Sequence, residues 1–147
     1  MTPEQLARSG TEHALQSAFF SCLQLPPLRD QYPDLRTALI FAIPNGGARG
    51  DNEKSRLIRG GQLKAEGVKD GVPDIFLSIG RGGYLGFYIE MKRKGKKPTK
   101  NQLEFKELAL KRGYLWAFYD SWEHARDDVI RYMNLPETIV VRQNVAQ

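Results

Sequence analysis

The stretch Gly71-Val72-Pro73-Asp74-Ile75-Phe76-Leu77-Ser78-Ile79-Gly80-Arg81-Gly82-Gly83-Tyr84-Leu85-Gly86-Phe87-Tyr88-Ile89-Glu90-Met91-Lys92 decides how this chain folds. Residues 75–79 and 84–89 are short, apolar and rich in strand-forming side chains. Between them, Gly80-Arg81-Gly82-Gly83 tolerates the positive φ that a tight hairpin needs. A three-residue loop of Arg81, Gly82 and Gly83, closed by Gly80 and Tyr84, sets a register that places Asp74 opposite Glu90. Side chains alternate along a strand, so Lys92 shares the face of Glu90 while Met91 points to the other. Directly opposed positions lie about 5 Å apart. The alignment depends on that register, because a slip of one residue exchanges the two faces.

Two carboxylates so close repel each other, and something must offset the repulsion. A hard divalent cation does so, since Mg²⁺ takes oxygen ligands from one or two carboxylates and keeps several waters. Such a site suits metal-assisted attack of water on a phosphodiester. Glu-x-Lys alone is common and fits an ordinary ion pair at a solvated strand end. Pro-Asp, a hydrophobic hairpin and then Glu-x-Lys is a much narrower coincidence, and it favours the metal site.

The composition agrees without proving the point. The chain has 147 residues, enough for one domain with a real core, read here as 1–136 followed by a tail, 137–147. A formal net charge of +5 and a pI near 9.4 suit a polyanionic partner. The single cysteine, Cys22, excludes an internal disulfide and a cysteine-based zinc site. Only two histidines, His13 and His124, argue against histidine-rich metal chemistry. No apolar run reaches membrane-spanning length and the N-terminus lacks a signal-peptide core, so a cytoplasmic protein with no membrane partner is expected.

Around the central stretch, Thr2-Pro3-Glu4-Gln5 reads as a helix start, and Ser9-Gly10-Thr11-Glu12 as a second. Leu15, Ala18, Phe19, Cys22 and Leu23 then recur at helical spacing, with Glu12 at the edge of their face. On its own Glu12 reads as the acidic half of a capping box. Prolines mark a loop over 25–35, residues 37–43 read as a strand, and 53–66 as a helix. Gly60-Gly61 implies that this helix breaks or that another backbone approaches closely. Arg49, Lys54, Arg56, Arg59 and Lys64 could contact phosphates, although a solvated helix face is the plainer reading. Neither glycine-rich loop carries a Walker or dinucleotide-binding pattern, so both of those readings are rejected.

Beyond the hairpin, Lys92-Arg93-Lys94-Gly95-Lys96-Lys97-Pro98-Thr99-Lys100 is the densest basic run in the chain. Counterion release on binding a phosphate backbone there predicts tight, salt-sensitive contact with DNA. Thr99 with Gln102 three residues on reads as a helix cap, Phe105, Leu108 and Ala109 as the buried stripe, and Gly113 as the stop. Residues 114–119 are almost wholly apolar and aromatic, as expected of a central strand buried on both faces. Exposed rings there could also stack on bases, but core packing is the stronger reading. Ser121 caps a last helix through Ala125, Val129 and Tyr132, and the tail could add a strand or stay loose.

Taken together, these residues resemble a known family. Pro73-Asp74 with Glu90-Met91-Lys92 looks like the signature of the PD-(D/E)xK nuclease superfamily. Ile43-Pro44-Asn45-Gly46-Gly47, Leu63-Lys64-Ala65-Glu66-Gly67-Val68, Gly71-Val72-Pro73-Asp74, Gln102 and Gly113-Tyr114 resemble its virus-type replication-repair nuclease (VRR-NUC) module, in the stand-alone viral or phage form. The pattern departs at Asp70, where a proline or neutral residue would be expected. The resemblance implies an α/β, restriction-endonuclease-like core: a central mixed sheet flanked by helices. It also implies a Mg²⁺- or Mn²⁺-dependent endonuclease acting on branched DNA as a homodimer, in a bacterial cell or phage-infected host. Asp74, Glu90 and the backbone carbonyl of Met91 would hold the metal, with Glu12 reaching it through water. Lys92 would orient or activate water, and Gln102 would support its neighbours. Arg49, Lys64, Arg93, Lys94, Lys96, Lys97 and Lys100 are the DNA-binding candidates. A non-catalytic DNA-binding module and an RNA-directed nuclease are the alternatives.

Overall fold

A computed structural model describes residues 1–44 and 52–141. The chain opens with a short helix, α1 (Pro3–Leu6), held by a full capping box between Thr2 and Gln5. In α2 (Glu12–Leu23), Thr11 accepts from the Ala14 amide at 3.1 Å. Thr11 is therefore the cap and Glu12 the first helical residue. The capping-box role read for Glu12 is not realised, because that role belongs to the third helical position. Leu15, Ala18, Phe19, Cys22 and Leu23 are all buried, as their spacing demands. Burial pushes the Cys22 thiol up to about 12, and its S–H donates to the Phe19 carbonyl.

The expected loop over 25–35 contains one more helical turn, α3 (Leu28–Gln31), because Leu28 and Leu35 drop into the core. Strand β1 (Ile40–Ala42) is shorter than the run read from sequence. Thr37 explains its late start. The Thr37 hydroxyl donates to the Asp34 carbonyl and accepts from the Leu39 amide, an alternative to ladder pairing. Helix α4 (Glu53–Ala65) then runs unbroken through Gly60-Gly61, and none of its residues is buried. The break does not occur, and a Cβ at Gly61 would meet open space, so no backbone approaches closely at that glycine.

Strands β2 (Ile75–Leu77) and β3 (Phe87–Met91) pair antiparallel as Ile75–Ile89, Phe76–Tyr88 and Leu77–Phe87. One further step outward puts Asp74 opposite Glu90, the register read from sequence. The hairpin end differs. Gly80 and Tyr84 do not close a three-residue loop. Instead Arg81 and Tyr84 bracket a turn with Gly82 and Gly83 both at positive φ. The segment 136–138 comes back to satisfy the loop: Gly82 N–H donates to the Pro136 carbonyl, Thr138 N–H to Gly80, and the Thr138 hydroxyl to Tyr84.

After α5 (Lys100–Lys111), strand β4 (Leu115–Tyr119) adds parallel to β3, and α6 (Trp122–Met133) follows with Ser121 as its cap. The sheet order is β1-β2-β3-β4, so among the described residues β4 is an edge strand and not the central one expected. Its apolar character arises from helices above and below. Leu115, Ala117 and Tyr119 join the core with α2 and α6, whereas Trp116 and Phe118 take the opposite face, where Lys106 of α5 lies over the Trp116 ring. In α5, Ala109 is buried and Phe105 half-buried, but Leu108 is 64% exposed and is not part of the stripe. Among the described residues no helix is long and apolar enough to cross a membrane.

Gly71, at φ +83°, is the tightest join between the site strand and α5: a Cβ there would lie 2.4 Å from the Asn101 carbonyl oxygen. Gly71→Ala is expected to lower unfolding free energy by roughly 2 kcal/mol or more in urea titrations. Gly61→Ala, which meets nothing, should cause no loss and should raise helix content by circular dichroism.

Candidate active site

The even-numbered residues of β3 and the residue before β2 build the site. Odd positions Phe87, Ile89 and Met91 are buried in the core, and this leaves Glu90 and Lys92 on the α5 face. Asp74 is braced from both flanks. Its backbone carbonyl accepts from the Ile43 amide at 2.6 Å, and its Oδ2 accepts from the Met91 amide at 2.8 Å. Met91 thus meets Asp74 through its N–H.

Glu90 and Lys92 are 2% and 7% exposed, the two buried charged residues among those described. Glu90 Oε1 accepts from Gln102 Nε2 at 2.9 Å and lies 3.9 Å from Lys92 Nζ. Glu90 Oε2 is buried without a hydrogen-bond donor. Burial pushes the Glu90 carboxyl up to about 9, reinforced by the Asp74 charge and by a hydrogen bond shared with Asp74. Lys92 opposes the shift, and Glu12 adds to it slightly. Repulsion and desolvation therefore outweigh the one ammonium nearby.

Gln102 is the capping partner of α5, as read from sequence, and its side chain also contacts Glu90. Its Oε1 accepts from the Thr99 amide at 2.9 Å in a capping box, while its Nε2 holds Glu90. Asp74, Glu90, Lys92 and Gln102 are brought together. Glu12 is exposed at the start of α2 and reaches Glu90 only through its field. Among the described residues no three or more His, Cys, Asp or Glu side chains cluster as a metal cage. Two adjacent carboxyl groups, one of them buried and holding its proton beside the charge of the other, nevertheless form a donor set that a hard dication would relieve.

Arg93, Lys94, Lys96, Lys97 and Lys100 are all exposed on the connection from β3 to α5 and its first turn. Lys64 is exposed in the last turn of α4. Arg49, with Asn45, Gly46 and Gly47, lies outside the described residues. Sequence reasoning missed Asp120, whose Oδ2 accepts from Gly95 N–H at 3.5 Å and so tethers the basic connection to the end of β4. Its place directly after an aromatic strand carried no distinguishing signal.

The fold has a counterpart. A solved VRR_NUC domain protein aligns with 90% of this chain and 96% of its own, at a TM-score of 0.69 and 24% identity. The chain has the VRR-NUC fold. The mixed four-stranded sheet flanked by helices is the restriction-endonuclease-like architecture anticipated above. No family model matches the chain, and no curated protein sequence matches it.

In metal-free protein, folded Glu90 keeps its proton up to about pH 9, whereas the unfolded chain releases it near the ordinary value of 4.5. Between these values deprotonation favours the unfolded state, so this group's contribution to stability falls as pH rises. Glu90→Gln, measured by urea denaturation in EDTA near pH 8, is expected to stabilise the chain by on the order of 1 kcal/mol or more, with the gain shrinking toward pH 5. A loss of stability at every pH would contradict this account of the site.

Proposed function

We propose that this chain is a divalent-metal-dependent DNA endonuclease that hydrolyses phosphodiester bonds in branched DNA such as Holliday junctions, during replication, recombination or repair. The observation that carries the reading is Glu90: a carboxyl group only 2% exposed, set against Asp74, with Lys92 Nζ 3.9 Å from its Oε1. A fold that keeps so costly a pair needs something that the pair binds.

Asp74 and Glu90 would hold Mg²⁺ or Mn²⁺, with the Met91 carbonyl as a further oxygen and Glu12 acting through water. The ion supplies Lewis-acid polarisation of the phosphoryl group and a lower pKa for water at the site. The chain's own groups divide the remaining work. Lys92 orients the attacking water and stabilises charge gathering on the phosphate oxygens. Gln102 fixes the Glu90 carboxylate from a helix whose start is itself capped by that same side chain. Arg93, Lys94, Lys96, Lys97 and Lys100 neutralise backbone phosphates beside the cut, joined by Lys64 and Arg49. A twofold homodimer would present two such sites to the two strands of a symmetric junction.

The test compares a labelled four-way junction, a linear duplex and a single strand, each with Mg²⁺, Mn²⁺ or EDTA. Metal-dependent cutting of the junction, reduced by at least about 100-fold in Lys92→Ala, is the expected result. Equal cutting of all three substrates would remove junction specificity. Salt-sensitive binding without cutting under any metal would replace the enzyme by a DNA-binding module.

A further inference from the structure

Phe118 lies in the strand register directly beside Glu90, on the same face of the sheet, on a neighbouring strand about 5 Å away. Its exposure, 37%, contrasts with 2% for Glu90. The ring takes no part in the hydrophobic core. Among the described residues its aromatic neighbour is Trp116, with centroids 6.1 Å apart, and Trp116 is in turn covered by Lys106 at 5.2 Å. An uncovered phenyl ring on an edge strand gains nothing for folding comparable to a core position. It borders Glu90 and Lys92 at the end of β3. Basic side chains at 93, 94, 96, 97 and 100 flank the same end of β3.

We infer that Phe118 is a stacking platform for an unpaired base next to the scissile phosphate, and that it is the residue by which this site prefers branched or single-stranded DNA over continuous duplex. The inference rests on the nuclease reading above and extends it to substrate choice. In an intact duplex each base is paired and stacked on its neighbours, and none is free to meet the ring. At a branch point, gap or free strand a base turns outward at little further cost. A phenyl face then takes it up without regard to base identity. The preference therefore follows DNA structure and not sequence.

The experiment uses the full chain as wild type, Phe118→Ala and Phe118→Tyr. Two readouts are taken: kcat/KM on a four-way junction against linear duplex, and fluorescence of 2-aminopurine placed at nucleotides flanking the branch point, titrated in EDTA so that nothing is cut. Phe118→Ala is expected to lower junction cleavage about tenfold, leave duplex cleavage within about twofold, and abolish the fluorescence change at one or two positions. Phe118→Tyr should retain both. Equal loss on both substrates, or an unchanged ratio with unchanged fluorescence, would overturn the inference while leaving the nuclease intact. A Phe118→Ala chain that changes its mass in solution with an unaltered substrate ratio would put a second copy of this chain on the ring and also overturn it. Wild-type protein that neither cuts nor binds any DNA would remove both readings.

Discussion

The buried encounter of Asp74 with Glu90 is the constraint around which this fold is arranged. Two carboxylates at opposed positions of an antiparallel pair are unfavourable, and the surrounding structure shows how the strain is contained. Asp74 is pinned by two backbone amides on different strands, and Glu90 by a single side-chain amide from α5. The opposite face of the same strands supplies the compensation. Ile75, Leu77, Phe87, Ile89 and Met91 are essentially fully buried against α2 and α6. Alternation along β2 and β3 thus separates the residues that hold the sheet from those that carry the charged groups of the candidate site.

Gln102 links the two layers. Its carboxamide has one acceptor and one donor end, and the chain uses both, the first to start α5 and the second to hold Glu90. Helix position and carboxylate orientation therefore cannot vary independently. The basic connection between β3 and α5 is held at its start and near its middle by the end of β4, since Lys92 N–H joins the Tyr119 carbonyl and Gly95 N–H reaches Asp120. Its lysines can remain exposed while their backbone stays fixed beside the site.

The parts legible in the sequence are those set by local periodicity. The β2–β3 register followed from glycine placement and strand alternation, and Asp74, Glu90 and Lys92 came to one face for that reason alone. Caps at Thr2, Thr99 and Ser121 were equally local. What escaped was long-range. Nothing near Gly80 announces that residues 136–138 will complete its hydrogen bonds, so the hairpin seemed able to close on itself. The aromatic run of β4 looked doubly buried because composition cannot distinguish cover by strands from cover by helices. The Gly60-Gly61 pair implied a break, but a glycine's cost of about 1 kcal/mol is a bias that an otherwise helical segment can absorb.

The two faces of the sheet are covered unequally, and this asymmetry bears directly on how a polymer could reach the carboxylates. One face is closed by α2 and α6 and contains most of the core. The other has α5 and a set of rings, Phe76, Tyr88, Phe105 and Tyr114, packed edge to face, with Phe41 and Phe118 open at the two margins. Glu90 and Lys92 are only 2% and 7% exposed, and a further helix across that face would close what access remains. Leaving the margins uncovered costs buried apolar area. The end of β3 is bounded by cations on the connection to α5 and by an aromatic ring on β4. On the proposed reading, cations and an aromatic ring at the two sides of one carboxyl pair are the complementary features that an extended polyanion with flat bases requires.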